Sequence, residues 1–262
     1  MRVFVLGSTG MLGHAIMRQF PDAIAVTDFD ARDPRQLEAK ASDFIINCIG
    51  AIPQRNPSKS DMVKVNAVFP NWLAENTKAR IIQIATDCVF SGFHGGYHER
   101  SAHNPQDAYG RTKSIGEVIA ANVMLIRCSI VGFSPRDNAS LVGWIRNLPE
   151  GARVDGYANH FWNGVTTDAF ARVVDGIFKQ RLFYPGLIHL VPQNHLTKNR
   201  LVREIAARLG RRDIEVVPTI TPQAINRTLR TLYPEHNEDL FAAAGYYEVP
   251  KIERLIREMQ CI

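Results

Sequence analysis

The sequence contains no long apolar run, and its N-terminus does not have the composition of a targeting segment. No stretch reaches the roughly 18 uninterrupted apolar residues that a transmembrane helix requires, so we expect no membrane partner. The first ten residues, MRVFVLGSTG, have strand character followed by glycines, unlike the apolar core and cleavage site of a signal peptide. We therefore expect a cytoplasmic protein.

Cysteine is scarce, and its spacing excludes several classes of protein. The four cysteines occupy positions 48, 88, 128 and 261, without a CxxC pair. Each of the first three ends an apolar run, which is typical of reduced, buried thiols rather than of a disulfide scaffold. Three histidines share one loop with Glu99, but their spacing matches no zinc motif, and no metal site is predicted.

Concentrated positive charge is also lacking. The 262 residues carry 31 Lys and Arg against 26 Asp and Glu, a net charge of +5, and no run contains five consecutive basic residues. Nucleic acid is therefore not a predicted partner. With 45% hydrophobic and 22% charged residues, the composition is that of a globular protein with a full core, built as one large domain or two unequal lobes.

Short apolar runs alternate with helical segments over the first half of the chain. The predicted strands are 2–6, 23–27, 44–48, 81–85 and 123–127, with a sixth at 187–191. The predicted helices between the first five strands are 11–20, 34–41, 61–78 and 105–121. Nearly continuous hydrophobicity in each strand predicts a parallel sheet that is covered on both faces. We expect an α/β protein with a Rossmann-type doubly wound sheet and a smaller C-terminal α/β lobe.

A glycine-rich turn follows the first predicted strand and opens the first helix. Gly7, Gly10 and Gly13 form a GxxGxxG variant of the dinucleotide fingerprint, in which glycines allow a tight turn and close approach of a pyrophosphate. Asp28 lies about 20 residues further on, where an acidic side chain binds the adenosine ribose. Arg18 and Arg32 could instead bind a 2′-phosphate, so the pattern predicts NAD(H) or NADP(H).

Three polar side chains suit carbonyl reduction. Tyr109 and Lys113 share one helix face, and Thr86 follows the fourth predicted strand at the ligand-binding edge of the sheet. A carbonyl that accepts a hydride needs a proton donor, and an ammonium ~4 Å from a phenol, at an effective dielectric constant of ~20, would lower its pKa by about three units. We therefore predict Tyr109 as the proton donor, Lys113 as its cationic partner and Thr86 as the group that orients the carbonyl.

Together, the segments GSTGMLG, NCIG, TDCVFSG and YGRTK with the following GE resemble the extended short-chain dehydrogenase/reductases, in the dTDP-4-dehydrorhamnose reductase-like branch. The resemblance is close over about the first 130 residues. It implies NAD(P)H-dependent reduction of a nucleotide-activated 4-keto-6-deoxy sugar in deoxysugar biosynthesis. The residues that it places around the cofactor are Gly7, Gly10, Met11, Leu12, Gly13, Asp28, Asp30, Cys48, Ile49, Gly50, Tyr109 and Lys113.

The resemblance also implies a substrate site and a division into domains. The dinucleotide-binding domain would comprise residues 1–132 and about 166–192, and the substrate-binding lobe about 133–165 and 193–262. Specificity would be read by segments 90–104, 130–138 and 160–167, in which Phe161 or Trp162 would either stack on the base or belong to the core. The residues expected at the substrate are Thr86, Asp87, Tyr109, Ile130, Asn163 and Arg227.

Several residues depart from the pattern of the branch. Ala85 stands in place of Ser, Cys88 of Tyr, Ser91 of Asp, and Ile130 of a frequent Trp beside the substrate. Two other interpretations stay open at this point: a nucleotide-sugar epimerase with tightly bound NAD, and a non-catalytic cofactor-binding regulatory subunit. A homodimer is compatible with each of them.

Overall fold

The structure, a computed structural model, describes residues 1–136 and 139–260. Positions 137 and 138, at the end of the segment expected to face the substrate, lie outside the described residues, as does Cys261.

Six parallel strands form a central sheet, in the order β10-β5-β4-β3-β1-β2. The strands of the described chain are β1 Val3–Leu6, β2 Ile24–Val26, β3 Phe44–Asn47, β4 Arg80–Ala85, β5 Val123–Arg127, β6 Ile130–Val131, β7 Arg153–Tyr157, β8 His160–Trp162, β9 Val165–Thr166, β10 Gly186–His189, β11 Leu196–Thr197, β12 Glu215–Thr219 and β13 Ile225–Asn226. The predicted doubly wound α/β fold is confirmed, and the sixth predicted strand pairs with β5 in parallel.

The helices cover both faces of this sheet and build the C-terminal part of the chain. They are α1 Met11–Gln19, α2 Lys59–Val63, α3 Phe69–Asn76, α4 Ala108–Ile115, α5 Leu141–Arg146, α6 Thr167–Gln180, α7 Lys198–Arg208, α8 Pro234–Ala243 and α9 Ile252–Glu258. A π-helical segment, Lys64–Val68, joins α2 to α3, so the helix predicted at 61–78 is one continuous helical stretch with a local change of pitch. No helix among the described residues is long and apolar enough to cross a membrane.

The helix predicted at 34–41 was wrong, because this segment is irregular. Its backbone groups bond to side chains outside it: the Arg2 guanidinium donates to the Glu38 carbonyl at 2.7 Å, and the Lys40 N–H donates to Asp43 at 2.9 Å. Leu37 and Ala39 both pack against the core, a spacing of two that suits an extended chain. Tertiary contacts therefore outweigh the local helical signal.

Alternation along the strands divides the core into layers. In β1, Val3 and Val5 belong to the cluster on one face of the sheet, whereas Phe4 and Leu6 belong to the cluster on the other. A third cluster lies away from the sheet, between α5, α7 and α9, and includes Trp162. Two clusters thus cover the two faces of the sheet, and the third forms a separate core in the C-terminal part of the chain.

A buried arginine joins the carboxyl end of β5 to its surroundings. The Arg127 side chain is fully buried and pairs with Glu117, the Nε–Oε1 distance being 3.0 Å. Its two terminal nitrogens each lie 2.8 Å from a histidine ring nitrogen, one of His189 and one of His103. Burial and the adjacent guanidinium lower the pKa of His189 to about 4, so the ring is a neutral acceptor at pH 7.

Breaking this pair is expected to destabilise the whole fold. Glu117→Gln removes the only carboxylate bonded to Arg127 among the described residues, and an uncompensated buried charge costs about 3 kcal/mol or more. The free energy of unfolding in urea measures the loss. Glu215→Gln, which breaks the solvent-exposed Arg153–Glu215 pair, is the matched control and should cost less than about 1 kcal/mol. Equal losses in the two variants would contradict this prediction.

Candidate active site

The glycine turn brings the start of α1 against the end of β1. Gly7 has a φ of +73°, and its carbonyl accepts a hydrogen bond from the Gly10 N–H at 3.0 Å. A Cβ on Gly13 would lie 2.1 Å from the Gly7 carbonyl oxygen, so this close packing requires glycine. No side chain caps α1, and no acidic residue occupies its first turn. Because the Gly10 N–H is already paired with Gly7, the N–H groups of Met11 and Leu12 are the ones expected to bind an anion such as a pyrophosphate.

The loop after β3 forms a wall beside this turn. The Ile49 N–H donates to the Asn47 side chain at 3.1 Å. A Cβ on Gly7 would lie 3.1 Å from the carbonyl carbon of Cys48, which shows how closely the two segments approach. Further along, the Asn66 amide accepts from the Ala51 N–H at 2.8 Å and donates to its carbonyl at 2.9 Å. The segment from Cys48 to Gly50 is thus fixed where the cofactor is expected.

Acidic and basic side chains are paired beyond β2. The Asp28 side chain is 93% exposed and lies 3.0 Å from Arg35, while Asp30 lies 2.8 Å from Arg32. Hydrogen bonds from Arg32 lower the pKa of Asp30 to about 2. Both carboxylates are thus paired with exposed guanidinium groups, and the contacts of Asp28 with a ribose hydroxyl or of Arg32 with a 2′-phosphate stay predictions. Arg18, the other candidate for the phosphate, is instead paired with Asp168.

A short 3-10 turn, Asp87–Val89, follows β4 and carries the next group of polar residues. Thr86 caps this turn, because its hydroxyl accepts a hydrogen bond from the Cys88 N–H at 3.2 Å. The same hydroxyl donates to Asp87 Oδ1 at 3.3 Å. Burial raises the pKa of the Asp87 carboxyl. The strand end thus presents a hydroxyl and a largely desolvated acid to the cleft.

Helix α4 is pressed against this turn at a glycine. A Cβ on Gly110 would lie 2.2 Å from the Cys88 carbonyl oxygen, so a larger residue would push the helix away. This contact places the buried phenol of Tyr109 close enough to Thr86, Cys88 and Asp87 for each of them to influence its pKa. One turn later, the Lys113 ammonium donates to the Ile84 carbonyl at 3.2 Å. The structure therefore brings Thr86, Tyr109 and Lys113 together at one edge of the sheet.

The ionisation of Tyr109 differs from the sequence-based expectation. Burial raises the pKa of the phenol, and the nearby Cys88 and Asp87 raise it further, whereas Lys113 was expected to lower it. Burial also lowers the pKa of Lys113, whose ammonium is held by a carbonyl. Desolvation thus disfavours the charged form of both groups. At neutral pH, Tyr109 retains its proton.

The three cysteines among the described residues are free thiols. Burial raises the pKa of Cys88 to about 12, and it also raises the pKa values of Cys48 and Cys128 above the ordinary thiol range. Cys88 lies in the turn beside Tyr109, so a neutral thiol forms part of the lining of the site.

The residues expected to bind substrate from the C-terminal part of the chain differ in burial and in hydrogen bonding. Asn163 is only 9% exposed, and its amide both donates to the Leu229 carbonyl at 2.7 Å and accepts from the Leu229 N–H at 2.9 Å. In this structure the Asn163 amide therefore holds the backbone of Leu229, and its contact with sugar hydroxyls stays a prediction. Trp162 is a core residue, with its indole N–H bonded to Ser129 at 2.8 Å. Phe161 and Ile130 are half-buried.

Two cations of the small lobe reach toward the turn after β4. Arg227 was expected there, and its Nε donates to the Phe90 carbonyl at 2.9 Å. Lys198 was not expected, although it acts electrostatically on Asp87, Cys88 and Arg227. In the sequence, Lys198 is one of several basic residues of an amphipathic helix, so nothing in the local pattern indicates that it lies near the turn after β4. The described residues contain no group of three or more His, Cys, Asp or Glu side chains that could hold a metal ion.

Comparison with known proteins places the chain in a family. The family model described as the RmlD substrate binding domain matches residues 1–259. The chain belongs to this family. A dTDP-4-dehydrorhamnose reductase of Mycobacterium tuberculosis is 32% identical to this RmlD-family chain over 140 residues, and methionine adenosyltransferase 2 subunit beta of Xenopus tropicalis is 28% identical over 144 residues. These alignments span 46% and 44% of this chain, and 46% and 41% of the respective relatives.

Solved structures share the fold across the whole chain. The dTDP-4-dehydrorhamnose reductase of Bacillus anthracis, in complex with NADP, superposes with a TM-score of 0.76 and 16% identity over 98% of each chain. The resemblance that the motifs indicated is thereby confirmed at the level of family and fold.

Because both bonds of Asn163 reach the backbone of Leu229, we expect Asn163→Ala to affect stability first. Losing the two bonds leaves a buried N–H and carbonyl unpaired, which costs about 1–3 kcal/mol in the free energy of unfolding. Urea denaturation measures this loss, and Asn76→Ala at an exposed helix end is the control, with a smaller effect. Unchanged stability together with a raised KM for sugar nucleotide would contradict this prediction and would show that Asn163 binds the substrate.

Proposed function

We propose that this chain is an NAD(P)H-dependent reductase that acts on the keto group of a nucleotide-activated 4-keto-6-deoxy sugar. The observation that carries the proposal is the convergence of Thr86, Tyr109 and Lys113 on the sheet edge that also bears the glycine turn. The names of the M. tuberculosis and B. anthracis relatives and the NADP bound to the latter support the substrate class and the cofactor.

The side chains account for the proton chemistry of such a reduction. A bound nicotinamide would supply the hydride to the keto carbon. Tyr109, which retains its proton because of burial, would donate it to the ketone oxygen. The Thr86 hydroxyl, which lies near that phenol, would orient the same oxygen. The Lys113 ammonium would stabilise the phenolate that forms as the proton leaves.

The proposal includes a division of labour along the chain. Residues 1–132 and about 166–192 would bind the dinucleotide and transfer the proton, and residues of about 133–165 and 193–262 would bind the nucleotide sugar. Arg227, whose guanidinium reaches the Phe90 carbonyl from the second group, supports this assignment. A cytoplasmic location fits the free thiols of the described residues, and the homodimer stays a prediction for sedimentation analysis to test.

Tyr109→Phe tests the mechanism. Removing the phenolic proton should lower kcat by about 100-fold or more, the usual contribution of a general acid. The Kd for NADPH, measured by fluorescence titration, should change little, since the aromatic ring is retained. Tyr247→Phe, at a fully exposed position, is the matched control and should leave kcat unchanged. A Tyr109→Phe enzyme with most of its turnover intact would refute the assignment of Tyr109.

A substrate panel separates this function from its rivals. Purified protein would be incubated with NADPH or NADH and with dTDP-, UDP- and GDP-linked 4-keto-6-deoxy sugars, while absorbance at 340 nm and the products are followed. We expect absorbance to fall with at least one substrate. Product without net oxidation of the cofactor would favour an epimerase. Silence across the panel would favour a non-catalytic subunit. The similarity to a protein named as a subunit, methionine adenosyltransferase 2 subunit beta, is a reason to test this alternative.

A further inference from the structure

His103 lies between the two elements that carry the proposed proton chemistry, the turn after β4 and helix α4. Its ring packs edge-on against Phe90, and the two ring centroids are 5.6 Å apart. The next residue, Asn104, is fixed to the turn, because its N–H donates to the Val89 carbonyl at 3.1 Å and its side chain accepts from the Ser91 N–H at 2.7 Å. The position of His103 is thus set from the side of the turn.

The ring of His103 also holds the C-terminal end of α4. Its Nδ1 lies 2.7 Å from the Ser114 hydroxyl, in the last turn of the helix, and its Nε2 lies 2.8 Å from Arg127 at the end of β5. Glu117, just beyond α4, bonds to the same guanidinium. One ring therefore connects the turn after β4, the end of α4 and the sheet, and the helix that it holds carries Tyr109.

These contacts require a neutral ring with its proton on Nδ1. A guanidinium only donates hydrogen bonds, so Nε2 of His103 accepts from Arg127, and Nδ1 carries the proton that is donated to Ser114. His189 is held in the same state, because its Nδ1 donates to the Arg230 carbonyl at 2.8 Å and its Nε2 accepts from Arg127. Arg127 thus bonds to two ring nitrogens that can accept only while both histidines are neutral.

Of the two rings, His103 is the one that solvent protons reach. A cavity of about 380 Å³ opens beside it and is lined in part by Glu99, Arg100 and Tyr233. The His103 side chain is 27% exposed, whereas His189 is fully buried. Burial lowers the pKa of His103, Glu117 at 3.5 Å from Nε2 raises it, and Arg127 lowers it. The fold consequently favours the neutral ring.

We propose that His103 is a positioning residue that holds α4, and with it Tyr109, against the turn after β4, and that it releases this helix when its ring is protonated in mild acid. A protonated ring has two N–H donors, so it would lose the bond from Arg127 and would place a second cation beside the guanidinium. Tyr109 would then be misplaced relative to Thr86, and a displacement of about 1 Å can cost about 100-fold in rate. The effect on turnover rests on the function proposed above, whereas the hold on α4 does not.

The state of the ring is measured directly by nitrogen NMR of the histidine side chains in the full chain. His103→Gln identifies the His103 signals, because they disappear in that variant. We expect the Nδ1–H tautomer at about pH 7.5 and a midpoint of protonation below about 6.5, the ordinary histidine value. An Nε2–H tautomer, or a midpoint at or above that value, would overturn the proposal.

The same variant tests the consequence for stability. Gln keeps a carbonyl that can accept from Arg127 and an amide that can donate to Ser114, but it does not protonate in this range. Because the folded state favours neutral His103, the stability that the ring contributes is complete above about pH 6.5 and is lost as the pH falls. Between about pH 7.5 and about pH 5.5, urea unfolding should therefore show a smaller loss for His103→Gln than for the parent chain. Equal losses would overturn the proposal.

Turnover measures the positioning of Tyr109. At about pH 7.5, His103→Leu, which bonds to neither Arg127 nor Ser114, should lower kcat about tenfold or more, whereas His103→Gln should stay within about twofold of the parent. In mild acid, the parent should lose a larger fraction of its kcat than His103→Gln. His195→Gln, at an exposed position in the C-terminal part of the chain, is the matched control and should keep the parent's pH dependence.

The outcomes separate this proposal from the reductase function. Parent-like kcat in His103→Leu, or the parent's full acid loss in His103→Gln, would contradict the positioning role. If no keto sugar is turned over, the reductase proposal fails alone, because the ring state and the stability profile still decide whether neutral His103 holds α4.

Discussion

The buried Arg127–Glu117 pair is the interaction on which the geometry of the site depends. Arg127 ends β5, Glu117 lies just beyond α4, and the two histidines bonded to Arg127 belong to the loop before α4 and to β10. The guanidinium therefore connects the sheet to both ends of the segment that carries Tyr109. Such a pair is costly to bury but strongly opposes rearrangement once it is formed. The position of α4 is consequently a property of the core and does not depend on loop contacts alone.

Close backbone approach provides the remaining constraint. At Gly110 and Gly13, the neighbouring carbonyl oxygens occupy the space in which a side chain would begin. The first contact sets the distance between α4 and the Thr86 turn, and the second sets the distance between α1 and the first strand. Both contacts lie at the carboxyl edge of the sheet, so proton chemistry and dinucleotide binding depend on the same packing. This packing also buries Tyr109 and Lys113, and the loss of water shifts the pKa of each toward its neutral form.

The sequence predicted the sheet because buried parallel strands are nearly continuous apolar runs, and it predicted Thr86, Tyr109 and Lys113 as neighbours because strand ends and helix faces follow simple periodicities. It failed where the outcome depended on distant partners. The segment at 34–41 is held extended by Arg2 and Asp43, which no local pattern reveals. The bonds between Asn163 and Leu229 could not be foreseen for the same reason, because they join segments that only folding brings together. The direction of the Tyr109 pKa likewise required knowledge of its burial.

The burial that keeps the Tyr109 phenol protonated also governs the chemistry of the thiols around it. Alkylating agents and peroxides attack the thiolate, and the raised pKa values of Cys48, Cys88 and Cys128 leave almost none of it at neutral pH. A cysteine can therefore stand in the turn beside the proton donor without making the site sensitive to redox conditions. At neutral pH the three described thiols are therefore weak nucleophiles, although one of them lines the site.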